Sequence, residues 1–127
     1  MILDFESDKP IFIQIAEELE NAIISGAYES ETQVPSTTEI SVRYKINPAT
    51  VLKGVGILVD EGILYKKRGV GMFVAKGAKE KIIKKRKRQF YEKYVVPLVS
   101  EASKLDITTE EIYEMVRMGY GNEQHRS

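Results

Sequence analysis

A mainly α-helical fold with one small β-hairpin is the architecture this sequence predicts, and three observations carry that prediction. Apolar residues recur at helical spacing through three successive stretches, 10–26, 36–44 and 47–61. Capping signals stand where those and later helices should start: Ser36-Thr37-Thr38-Glu39, Asn47-Pro48 and Thr108-Thr109-Glu110-Glu111. Two short strand candidates, 63–67 and 72–75, flank the turn-forming stretch Arg68-Gly69-Val70-Gly71.

Taken in order, the first helix should begin near Pro10 with Asp8 as its N-cap, since proline is favoured in a first turn. Ile11, Phe12, Ile15, Leu19, Ala22 and Ile23 form its apolar stripe, and Gly26 ends it. Residues 27–35 read as a loop. A short second helix follows the Ser36 capping box, with Ile40 and Tyr44 facing inward, and Lys45-Ile46 makes a tight turn. In the third helix Val51, Val55 and Leu58 form the buried stripe. At about 100° per residue, Ala49 and Lys53 then point away from it with Thr50 flanking them. Gly54 borders the buried side, where it would allow close helix contact, and Gly62 stops the helix. After the hairpin, residues 77–105 read as helix, broken or kinked at Pro97, which has no N–H to donate. A last helix runs from the Thr108 capping box to about Met118, and residues 119–127 read as a frayed tail.

Two short helices joined by a tight turn, the second displaying a polar face, then a hairpin, make a winged helix-turn-helix. A helix of about 10 Å diameter fits a DNA major groove about 12 Å wide. Helix N-termini, hydroxyls and cations hold phosphates. The candidate DNA-contacting residues are therefore Ser36, Thr37 and Thr38 at one N-terminus, Asn47, Ala49, Thr50 and Lys53 on the third helix, and Lys66, Lys67, Arg68 and Gly69 on the hairpin. A basic hairpin tip suits an adjacent minor groove, where cations meet enhanced negative potential.

Charge and composition bound the alternatives. The 127 residues are 43% hydrophobic with zero formal net charge. The distribution is uneven: residues 1–75 hold 7 Lys and Arg against 11 Asp and Glu, a net of −4, and residues 76–127 hold 12 against 8, a net of +4. The cations of the first part concentrate at 43–53 and 66–68, so a DNA face can be locally positive while the opposite face is acidic. The acidic balance is what a rival reading would use: a winged helix that docks proteins without binding DNA. Cysteine is absent and His125 is the one histidine, which leaves no disulfide framework and argues against a zinc site or a Cys/His or Ser/His catalytic group. No inward pair of acids and no phosphate-cradling glycine loop stands out, so neither enzyme nor cofactor is expected. No apolar run approaches the roughly 20 residues that span a bilayer, which predicts a soluble cytoplasmic protein with no membrane partner.

The order Pro10-Ile11-Phe12-Ile13-Gln14-Ile15, Ile24-Ser25-Gly26, Val34-Pro35-Ser36, Asn47-Pro48-Ala49-Thr50-Val51, Asp60-Glu61-Gly62-Ile63-Leu64 and Gly69-Val70-Gly71-Met72-Phe73-Val74 resembles the GntR family of bacterial winged helix regulators over about residues 8–75. The Asn-Pro-x-Thr-Val helix start and the short C-terminal part resemble its YtrA subfamily. The resemblance implies a transcription regulator, more readily a repressor, binding a palindromic operator in double-stranded DNA as a homodimer. Departures fall at Thr38, Pro48 and Leu52, where the family commonly carries arginine; they bear on which operator is read, not on the fold.

These readings divide the chain into a DNA-binding part, 1–75, a helical dimerisation part, 76–118, and a tail, 119–127. Phe90, Tyr94, Leu98, Ala102, Ile112 and Val116 form the expected dimer surface, too apolar for two short helices to hide alone. Helices this short cannot also wrap a cavity of roughly 300–1,000 Å³. Any inducer should therefore be small or sit beside the DNA-binding part. The run Lys84-Lys85-Arg86-Lys87-Arg88 points in all directions and reads as a solvated helix or as added phosphate attraction.

Overall fold

A computed structural model describes residues 1–124. The elements are α1 (Ile11–Ser25), β1 (Gln33–Val34), α2 (Thr37–Tyr44), α3 (Pro48–Asp60), β2 (Leu64–Lys67), β3 (Gly71–Val74), α4 (Ala78–Phe90), a π-helical segment (Tyr91–Val95), α5 (Val96–Lys104) and α6 (Thr109–Gln124). The fold is mainly helical with a small antiparallel sheet, as the sequence predicts. The chain divides into two compact units, Met1–Lys85 and Arg86–Ser127.

The first unit is built around one core. Ile15, Leu19, Val51, Leu58, Ile63, Leu64 and Val74 are almost fully buried. Helices α1 and α3 approach closely because position 54 lacks a side chain: a Cβ on Gly54 would lie 2.6 Å from the Phe12 carbonyl oxygen. The core also takes in Ala78 and Ile82 of α4, both nearly inaccessible, so this unit runs past the boundary at residue 75 that the sequence suggested.

Several details depart from the sequence reading. Pro10, not Asp8, caps α1, and no side chain caps it; the Pro10 carbonyl accepts from the N–H of Ile13 and Gln14. The preceding turns use other acceptors, Asp4 Oδ1 for the Glu6 N–H and Ser7 Oγ for the Lys9 N–H. Buried Gln14 ties this segment down, accepting from the Asp4 N–H and donating to the Asp4 and Lys9 carbonyls. The loop expected at 27–35 contains a two-residue strand, β1, paired antiparallel with β3, so the sheet order is β1-β3-β2. At Pro97 the helix does not simply break. The π-helical segment precedes α5, and the Val96 N–H donates to Tyr91 O, so the wide turn absorbs the register change beside a residue with no donor.

The Thr108 capping box forms: Glu111 N–H donates to Thr108 Oγ1 at 3.2 Å, and Thr108 N–H to Glu111 Oε1 at 3.1 Å. Helix α6 continues to Gln124, so residues 119–124 are helical where a frayed tail was expected. His125 lies outside the described residues.

Candidate nucleic-acid interface

The turn between α2 and α3 is fixed by short-range chemistry. Ser36 Oγ accepts the Glu39 N–H at 3.0 Å, and Glu39 Oε1 accepts the Ser36 N–H at 3.2 Å, the capping box in both directions. Lys45 takes a left-handed conformation, φ 54°, and the Ile46 N–H donates to the Ser41 carbonyl at 3.0 Å. Buried Ser41, which the periodicity did not single out, donates its hydroxyl to the Ile46 carbonyl at 2.6 Å. Asn47 Oδ1 accepts the Ala49 N–H at 2.8 Å and opens α3 with Pro48 in its first turn. The closing turn satisfies itself, with the Gly62 N–H donating to Val59 O and the Ile63 N–H to Leu58 O.

This arrangement leaves Asn47, Ala49, Leu52 and Lys53 exposed on α3, with Thr50 half-buried. At the start of α2, Thr38 is exposed while Ser36 and Thr37 are half-buried. Lys53 has an intramolecular partner that sequence reasoning missed: its ammonium lies 4.1 Å from the centre of the Phe12 ring. Such a contact is worth about 0.5–1 kcal/mol at an exposed site. The signal was available, since Phe12 starts a helix whose stripe packs on α3.

The hairpin pairs Leu64 with Val74, Tyr65 with Phe73, Lys66 with Met72 and Lys67 with Gly71. Lys66, Lys67, Arg68 and Gly69 are all exposed at its end. Gly69 sits at φ 77°, which favours glycine at the tip. The wing is braced from below. Gln33 on β1 donates to the Val70 carbonyl at 3.0 Å, and Tyr65 stacks on Phe73 with centroids 5.9 Å apart. The Tyr65 hydroxyl donates to Glu31 at 2.7 Å, and that bond, with the nearby negative charge, raises the phenol's pKa. Lys67 leans its ammonium on the Phe73 ring, 4.6 Å from its centre.

The basic run 84–88 turns out to be divided in role. Lys85 is not a free surface cation: it forms ion pairs with buried Glu20 of α1 and, at 2.9 Å, with Glu61 at the end of α3. Burial alone would lower its pKa, but the hydrogen bonds and charges of both carboxylates outweigh burial and raise it. Lys84, Lys87 and Arg88 are exposed.

In the second unit Phe90, Tyr94, Leu98 and Val116 are 43–57% exposed, Ile112 is half-buried, and Phe90 and Tyr94 pack ring on ring at 5.3 Å. Ala102 is 7% exposed, so it is core here rather than available surface. Tyr91, Val99, Tyr113, Met118 and Tyr120 are more exposed than Leu98 and were not singled out.

Helices α2 and α3 with a tight turn, followed by a braced basic wing, define a winged helix-turn-helix. The family model for bacterial regulatory proteins of the gntR family matches residues 13–74. A GntR-family regulator from Bacteroides thetaiotaomicron superposes with a TM-score of 0.78 at 34% identity, covering 89% of this chain and 98% of its own. The chain belongs to the GntR family. The HTH-type transcriptional repressor YtrA from Bacillus subtilis (strain 168) is 25% identical over 91% of this chain and 88% of its own. The DNA-binding domain of AraR, solved in complex with operator ORE1, is 31% identical over 58% of this chain and 90% of its own, with a TM-score of 0.52.

Proposed function

We propose that this chain is a repressor that binds a palindromic operator as a homodimer in the cytoplasm. In this reading Ala49, Thr50 and Lys53 enter the major groove. The N-termini of α2 and α3, through Ser36, Thr37, Thr38 and Asn47, meet phosphates. Lys66, Lys67, Arg68 and Gly69 meet the neighbouring minor groove. Within a single unit, two capped helix starts and a braced tip of three exposed cations offer phosphate-seeking groups around a helix with an open outer side. That combination is the observation that carries the reading, and AraR's solution with operator DNA supports it.

The dimer rests on a different observation. Of the nineteen exposed large apolar side chains among the described residues, twelve belong to the second unit, the smaller of the two. A surface that apolar marks an interaction site, and a second copy gives two reading heads whose half-site energies add.

The test is selection of bound duplexes from random DNA with the full chain, with the mass of free protein and complex measured by light scattering. The reading predicts an enriched inverted repeat, half-sites about 34 Å apart, and two chains per duplex. A monomer on DNA without sequence preference would contradict it.

A further inference from the structure

Helix α3 carries one cation, Lys53, and one carboxylate, exposed Asp60 in its last turn, with no arginine, glutamine or glutamate along its length; its capping Asn47 spends Oδ1 on the Ala49 N–H. Lys53 in turn holds its ammonium 4.1 Å from the Phe12 ring centre, back toward α1. In its N-terminal half the outer side of the helix is therefore largely hydrocarbon, with Thr50 half-buried at its flank and the one carboxylate, Asp60, at the far end. Ala49, Leu52, Lys53 and Gly56 share a face at spacings of three, four and seven residues. On that face Leu52 is 62% exposed, the most exposed large apolar side chain in α3. A single surface leucine is ordinary. This one stands beside Ala49 in the N-terminal half of the helix, the half that contacts base edges when such a helix docks.

Of the features that base pairs present in the major groove, only the thymine C5-methyl group pairs with hydrocarbon; the others are hydrogen-bond donors and acceptors. We infer that Leu52 is a specificity-determining residue that reads a thymine methyl group, with the Ala49 side chain completing the apolar contact. The inference rests on the reading that α3 enters the major groove. It assigns α3 a preference for thymine where an arginine would select guanine.

The experiment uses the full chain and the duplex it enriches from random DNA. Thymines are replaced one at a time by deoxyuridine, which lacks only the C5 methyl. Affinities are measured for the wild type and for Leu52→Ala, whose melting temperature should be unchanged because the side chain is exposed. At one position in each half-site the replacement should weaken wild-type binding about fourfold, the value of one buried methyl group. Leu52→Ala should bind the thymine and uracil duplexes equally. The inference is overturned if no thymine position responds, or if Leu52→Ala responds as strongly as the wild type. Failure of the underlying reading looks different: no sequence would be enriched over random DNA, and both would fall together.

Discussion

Gly54 and Gly56 lie two residues apart on α3 and answer to different neighbours. A Cβ at Gly54 would meet the Phe12 carbonyl oxygen at 2.6 Å and the Ile15 Cβ at 3.2 Å, so an α1–α3 contact depends on its absence. At Gly56 the same atom would meet nothing within 4 Å. Gly54→Ala should therefore destabilise the fold by about 1–3 kcal/mol through overpacking. Gly56→Ala should stabilise it by up to about 1 kcal/mol, the helix-propensity difference. Urea unfolding of the two variants checks the pair, and shifts of the same sign would contradict the packing described. From the sequence Gly54 was legible, because it bordered the buried stripe. Gly56 was not, because its surroundings are empty. Buried Gln14, Glu20 and Ser41 were not legible either: each is polar and lies outside the apolar stripes of its helix, and each is satisfied by a partner distant in sequence or across a turn.

At the scale of elements, α4 shows what local reading misses. Its basic run reads locally as a solvated helix or as added phosphate attraction, yet Lys85 ties the helix to α1 through Glu20 and to the end of α3 through Glu61. Lys85→Met removes the cation facing a buried carboxylate and should cost about 1–3 kcal/mol, measured by thermal or urea unfolding. The pair also sets a pH dependence. Folding raises the Lys85 pKa above its ordinary 10.5, so its contribution is complete below that value and is lost as pH climbs through the folded value. Tyr65 acts in the same direction from 10.0, because its neutral hydroxyl donates to Glu31. Stability should thus fall at alkaline pH above about 10, and Lys85→Met should fall less steeply than the wild type; parallel curves would show that the pair is not titrating. The caps at Ser36, Asn47 and Thr108 were legible because capping is local. Strand β1 was not, since two residues carry no periodicity and it exists only through pairing with β3. The π-helical segment was visible only as the proline that follows it.

For the whole molecule, the division of the chain matters most. The sequence suggested a DNA-binding part ending at residue 75, where the hairpin ends. The core includes Ala78 and Ile82, and Lys85 closes it. A chain truncated after Lys76 should be markedly destabilised, since losing a buried isoleucine alone costs about 2–5 kcal/mol. A chain truncated after Lys85 should fold and, on the proposed function, be monomeric. Circular dichroism melts with light scattering separate the two; equal stability would contradict the role given to α4.

In the proposed function α3 and the wing form one DNA-reading surface. The salt dependence of operator affinity, compared between the wild type and Lys67→Ala/Arg68→Ala, tests that surface. If both side chains meet phosphates, the double variant should bind more weakly on every sequence, and the slope of log affinity against log salt should shrink by about two for each chain bound. Unchanged affinity and slope would remove the wing from the interface and contradict the claim.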